Sequence, residues 1–270
     1  MYALNKDTGK AVWISEGHLK YNYVRPATAT INNRYVVFVG GYDQRMNAFD
    51  ALTGSIVWSY TVLTGWISSS PLIAGSLLYF GNYYGQVTAL HVATGALAWV
   101  SQVGSMYTTV FNGCYLNDVV YFGTRLDNSL VALNASTGAV LWNSTVPFGG
   151  VYGAPAASAT LGLVFINMNY GIAALELSQG ILKWSVQVLG PADSDVVLVR
   201  DTQVVVGRFG GVYAYHGSSG APLWEFLNPS WGICSDLGAV TIVNGTAYFG
   251  VCQEGDEYFT SGVFAVKVPM

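Results

Sequence analysis

Residues 48–58 read Ala48-Phe49-Asp50-Ala51-Leu52-Thr53-Gly54-Ser55-Ile56-Val57-Trp58, and this stretch decides the fold. An alternating apolar run ends in an Asx-x-x-Thr-Gly turn, and a second run begins after the glycine and reaches a tryptophan. The polar turn residues bond to the local backbone, and glycine accepts positive φ without a steric penalty. The phrase is a β-hairpin, and it is repeated. Gly-x-x-x-Trp occurs at Gly9/Trp13, Gly54/Trp58, Gly95/Trp99, Gly138/Trp142, Gly180/Trp184 and Gly220/Trp224. Successive tryptophans lie 45, 41, 43, 42 and 40 residues apart, a period belonging to a repeat architecture.

Between one tryptophan and the next phrase there is room for two more strands. After Trp58 these are Ser70–Ala74 and Leu77–Gly81, joined by a turn at Gly75-Ser76. The second ends in Tyr-Phe-Gly, an ending seen again at Tyr121–Gly123 and Tyr248–Gly250. Each repeat therefore holds four short antiparallel strands, a to d, with the glycine turn between c and d. Four strands in 40–45 residues make a propeller blade. The expectation is an all-β propeller of about six blades over residues 1–270, with the indoles wedged between neighbouring blades. The first phrase supplies only strands c and d, and the C-terminus supplies a, b and c. Either the N-terminal strand d completes the last blade in a six-bladed ring, or the chain is an arc of a seven- or eight-bladed ring lacking its N-terminal part.

The phrase Ala-x-Asp-x-x-Thr-Gly-x-x-x-Trp resembles the repeat of PQQ-type propellers. That superfamily includes quinoprotein alcohol dehydrogenases and a periplasmic lipoprotein of outer-membrane protein assembly. The resemblance spans nearly the whole chain and implies the fold. It leaves the function open, because the motif is structural in every member.

Composition narrows the function classes. The chain is 52% hydrophobic and only 10% charged, with a formal charge of −4. Disorder needs the opposite balance. No broad positive field is present to hold nucleic acid. No apolar run approaches the ~18 residues of a spanning helix. The low charge, the abundance of Ser, Thr and Asn, and the habits of the resembled family set the expectation of an extracytoplasmic location.

In a propeller the d–a and b–c loops share one face. Here that face carries spare aromatics and many of the few charges. The candidates for binding a protein or small-molecule ligand are Arg25, Arg45, Trp66, Tyr84, Tyr107, Arg125, Tyr152, Tyr170, Arg208, Trp231 and Asp236. His91 and His216 take the turn place of Asp50, and the same logic makes Asp7 and Asp50 turn residues. Cys114 reads as a core residue of strand a. Cys234 and Cys252 flank strands a and b of one blade toward the same face, where a disulfide is reasonable.

The expected function is a non-catalytic scaffold or binding module without cofactor or metal. The alternative is a quinoprotein alcohol dehydrogenase, or a fragment of one, holding PQQ and Ca²⁺. The resemblance then implies an aromatic platform such as Trp66 or Trp231 and oxygen ligands such as Asp193, Asp195 or Asp236. The adjacent cysteine pair that covers the quinone in many dehydrogenases has no counterpart here.

Overall fold

The computed structural model describes residues 1–15, 24–188, 194–208, 211–227, 240–253 and 260–268, with side chains left aside at 250–253 and 260–264. It is a β-propeller, and its sheets follow the repeat. Sheet 1 pairs Tyr2–Leu4 with Ala11–Ile14. Blade 2 holds Ala27–Ile31, Arg34–Gly40, Arg45–Asp50 and Ile56–Thr61, and blade 3 holds Leu72–Ala74, Leu77–Gly81, Gln86–His91 and Leu97–Gln102. Blade 4 holds Val110–Leu116, Val119–Thr124, Ser129–Asn134 and Val140–Thr145, and blade 5 holds Val151–Ser158, Leu163–Met168, Gly171–Glu176 and Leu182–Gln187. Blade 6 holds Val197–Val199, Gln203–Arg208, Gly211–His216 and Pro222–Leu227. Sheet 7 holds Thr241–Val243, Thr246–Gln253 and Thr260–Lys267. Within each sheet the strands pair antiparallel in chain order.

Strands b and c form the core layers. Leu163–Met168 of blade 5 is buried at every position, whereas the outer strand d alternates toward solvent, as in Val140–Thr145. Several a–b hairpins close through two residues that both take positive φ: Asn32/Asn33, Asn117/Asp118, Arg200/Asp201 and Asn244/Gly245. These match the right-handed twist of the flanking strands.

The indoles bind blade to blade. Trp13, Trp58, Trp99, Trp142 and Trp184 each donate Nε1–H to the first turn carbonyl of the following blade, at Ala51, Val92, Ala135, Leu177 and Gly217. The distances run from 2.8 to 3.0 Å. Each ring also lies on the next turn glycine. A Cβ on Gly54, Gly95, Gly138, Gly180 or Gly220 would meet the preceding tryptophan ring at 2.5–2.7 Å. Beneath four of these indoles sits an aromatic ring of strand b in the same blade, in the pairs Phe38–Trp58, Tyr79–Trp99, Tyr121–Trp142 and Phe165–Trp184, with centroids 5.6–6.0 Å apart.

A second seam lies nearer the axis. Gly40, Gly81 and Gly123 end strand b or stand one residue before its end, and each receives the first buried aliphatic of the next blade: Ile67, Val110 and Val151. The glycine of the recurring Tyr-Phe-Gly ending is thus a contact surface, which the sequence reading did not draw out.

Two expectations need correction. Ala11–Ile14 does not complete the last blade. Among the described residues it pairs with Tyr2–Leu4 alone, and Trp13 anchors it against blade 2. In the first turn the Asx role belongs to Asn5, not Asp7. Asn5 Oδ1 accepts from the amides of Asp7 and Thr8 and from the Thr8 hydroxyl, as Asp50 Oδ1 does from Leu52 and Thr53. Asp7 is left in an exposed ion pair with Lys6. The sixth tryptophan also departs from the pattern. Trp224 Nε1 donates to Gln203 Oε1 of its own blade. A cavity of about 340 Å³ runs beside it, lined by Tyr213, Tyr215, Leu223 and Trp224 among others.

Candidate aromatic loop face

The d–a and b–c loops meet at one end of the molecule. Tyr42 stands in the b–c loop of blade 2 and Trp66 in the d–a loop that follows that blade. Tyr83 and Tyr84 stand in the b–c loop of blade 3, and Tyr107 in the d–a loop after it. Their rings form a ladder. Tyr42 lies 5.3 Å from Trp66, and Trp66 stacks on Tyr83 at 4.3 Å. Tyr107 completes it, 6.3 Å from Tyr83 and 5.2 Å from Tyr84. Trp66, Tyr84 and Tyr107 were candidates from sequence. Tyr83, the loop neighbour of Tyr84, and Tyr42, which the sequence did not single out, join them.

Polar side chains hold the ladder from below. Asn82 Oδ1 accepts from the amides of Tyr84 and Gln86, and its Nδ2 donates to Thr64 O and Gln86 Oε1. Gln102 Nε2 donates to the carbonyls of Tyr84, Gly85 and Gly104. Asp127 accepts from the amide and hydroxyl of Ser105. The ring of Tyr84 lies directly on Gly65. Tyr107 is held at φ +71°, a left-handed conformation that costs a bulky residue roughly 1–3 kcal/mol, yet its ring remains more than half exposed.

The other candidates divide. Arg125 lies over the Tyr152 ring, 5.5 Å from the centroid, and donates Nε–H to the Tyr152 hydroxyl. Phe111 backs that ring at 5.2 Å. Arg45 is exposed at the start of its strand, beside Asp43, which accepts from the Arg45 amide. Tyr170 is exposed in the b–c loop of blade 5, away from the ladder. Arg25 crosses the molecule to Asp195, with Nη1 2.5 Å from Oδ2.

Arg208 is not a surface residue. It is 1% exposed, and its guanidinium donates to Asn167 Oδ1 and to the carbonyls of Met168, Asn169, Gly171 and Val188. It clasps the b–c loop of blade 5. Its place at the end of strand b, directly after Gly207, turns it inward rather than toward a ligand.

Cys114 is free, and burial pushes its thiol up to about 12, as a core residue requires. Trp231, Asp236, Asp193 and Cys234 lie outside the described residues, as does the side chain of Cys252.

Of the residues named for a quinone and its metal ion, Trp66 and Asp195 are described, and both are already engaged. One face of Trp66 is covered by Tyr83. Both oxygens of Asp195 are engaged, one by Arg25 and the other by the Ala154 amide. Among the described residues no three His, Cys, Asp or Glu side chains gather.

Comparison with known proteins places the chain. The family model described as outer membrane protein assembly factor BamB matches residues 1–151 and 108–227. The factor of that name from Yersinia pestis is 28% identical over 229 residues, 76% of this chain and 56% of that protein. A quinone-dependent alcohol dehydrogenase subunit of Gluconobacter oxydans is 27% identical over 249 residues, 78% of this chain and 32% of that protein. The BamB factor of Legionella pneumophila is 30% identical, but over only 41% of this chain and 30% of its own length. The chain therefore spans roughly a third to a half of these relatives. In solved structures, BamB from Moraxella catarrhalis superposes with a TM-score of 0.75 at 18% identity, covering 92% of this chain and 75% of that one. A computationally designed protein, Ika8, gives 0.70 at 16%. A designed molecule with the same fold underlines that the fold alone assigns no activity.

Proposed function

Given that this chain belongs to the outer membrane protein assembly factor BamB family, we propose that it is a non-catalytic propeller that binds a protein partner through its d–a/b–c loop face, outside the cytoplasm. The observation that carries this reading is the ladder of five aromatic rings from two b–c and two d–a loops, braced from beneath by Asn82, Gln102 and Asp127. Tyr and Trp supply wide, rigid contact area at small entropic cost, and they dominate interface hot spots. Bracing the loops in advance reduces the ordering that binding must impose.

The alcohol dehydrogenase relatives keep a quinone reading in view. The engaged oxygens of Asp195 and the covered face of Trp66 speak for the scaffold instead.

A photo-crosslinking amino acid at Tyr84, on the loop face, is expected to trap a discrete protein adduct in the native host. The same group at Leu52, in the c–d turn on the opposite face, is expected to trap none. Adducts from Leu52 alone would overturn the reading. So would alcohol oxidation by the purified protein on adding PQQ and Ca²⁺.

A further inference from the structure

We infer that the aromatic ladder takes an extended polypeptide segment whose apolar side chains lie between acidic ends. The inference rests on the loop-face reading above and specifies its partner. Three features of the ladder lead to it.

The first is shape. The ladder is a row rather than a pit, one ring following another from Tyr42 through Trp66 and Tyr83 to Tyr107 at 5.3, 4.3 and 6.3 Å. In an extended strand, side chains on the same side repeat about every 6.7 Å. Trp66 and Tyr83 are in stacking contact, so such a strand would lie along the row, its side chains against ring edges and faces rather than between rings.

The second is hydrogen-bonding polarity. The nearby acceptors are turned back into the protein: Asp127 on Ser105, Asp43 on the Arg45 amide, and Asn82 on Tyr84 and Gln86. Among the described residues, the phenol hydroxyls of Tyr83, Tyr84 and Tyr107 bond to no other group. Each phenol can donate to a carbonyl and accept from an amide, so the row suits a main chain that is not paired into a sheet of its own.

The third is charge. Arg45 in blade 2 and Arg125 in blade 4 stand on either side of the blade 3 loop, both exposed, and neither has a carboxylate partner among the described residues. Guanidinium groups in the loops on either side of the aromatic row favour carboxylates at the two ends of the segment.

The test uses synthetic peptides and fluorescence anisotropy on the whole chain. The probe alternates Phe and Ser between Asp-Asp ends. One control carries Lys-Lys ends on the same core, and a second carries Asp-Asp ends on an all-Ser core. The expected result is saturable binding of the probe, weaker by about tenfold or more for either control. Tyr107→Gly should weaken it comparably. That change removes the ring while relieving the positive φ, so a folding defect does not confuse the result. Arg45→Gln with Arg125→Gln should remove the preference for acidic over basic ends.

Equal binding of all three peptides, or an unchanged affinity in Tyr107→Gly, would overturn the inference. Selective binding of maltoheptaose, lost in Tyr107→Gly, would also overturn it in favour of a carbohydrate site. If Tyr84 cross-links to a host protein while the probe does not bind, the segment chemistry is wrong and the loop-face reading stands. Absence of both overturns the two together.

Discussion

At the scale of single residues, the turn glycines carry two demands that are separable by mutation. Gly95 takes φ +70°, and a Cβ there would meet the Trp58 ring at 2.6 Å. Gly75 takes φ +58°, with nothing within 4 Å of its Cβ position. Both pay for alanine's dislike of the left-handed region, which costs roughly 1–2 kcal/mol. Only Gly95 must also displace a buried indole. Gly95→Ala is therefore expected to lower stability by about 3 kcal/mol or more, and Gly75→Ala by about 1–2 kcal/mol. Urea denaturation of the two variants measures the difference. Equal losses would mean that the indole moves aside freely and is not the wedge described above. The turn glycine was legible in sequence as a backbone requirement. Its second role was not, because that role depends on a ring about 40 residues earlier in the chain.

At the scale of the blade, the seams between sheets bury ionisable groups. Burial pushes the Tyr79, Tyr121 and Tyr215 hydroxyls up from 10.0 to about 12, and the Cys114 thiol from 9.0 to about 12. Tyr79 donates to Ala135 O, the same carbonyl of the next blade that receives Trp99 Nε1. In the unfolded chain these groups ionise at their ordinary values, so between those values and about 12 the unfolded state holds fewer protons than the native one. The sign follows: this part of the stability is intact below about pH 9 and declines as pH rises toward 12. Denaturation midpoints are expected to fall across that window. Tyr79→Phe should fall less steeply than wild type, because one of the titrating groups is gone. Parallel pH profiles for the two proteins would contradict the buried hydroxyl.

Strand order and the glycine turns were readable from residue spacing because the repeat is local. The ladder was half readable. Trp66, Tyr84 and Tyr107 stood out as loop aromatics, whereas the stacking that joins them to Tyr42 and Tyr83 comes from different blades meeting at one end. Arg208 misled for a related reason. An arginine at a strand end looks like a surface residue until the neighbouring blade supplies five acceptors to a side chain turned inward.

At the scale of the whole molecule, the starts of the innermost strands are tied to one another around the axis. The Arg25 amide donates to Ser70 Oγ, the Ser70 amide to Asn112 Oδ1, and the Ala154 amide to Asp195 Oδ1. The guanidinium of Arg25 then returns to Asp195, 170 residues further along the chain and four blades away. This last contact bridges the loop face across the axis, and Asp195 serves both links at once. Its two jobs differ in worth. The pair with Arg25 is more than half exposed on the arginine side, so water and salt screen it and it contributes at most about 1 kcal/mol. The bond to the Ala154 amide satisfies a half-buried backbone donor, whose loss costs about 1–3 kcal/mol. Asp195→Asn keeps an acceptor for Ala154 and discards the charge. It is expected to cost under about 1 kcal/mol, with the deficit shrinking as salt is added. Asp195→Ala discards both and is expected to cost about 1–3 kcal/mol more, with that excess insensitive to salt. Thermal denaturation of both variants at low and high salt separates the two contributions. Should Asn and Ala lose the same stability, the carboxylate matters to the ring only as a charge facing Arg25, and the tie between blades 5 and 6 must be made by other groups.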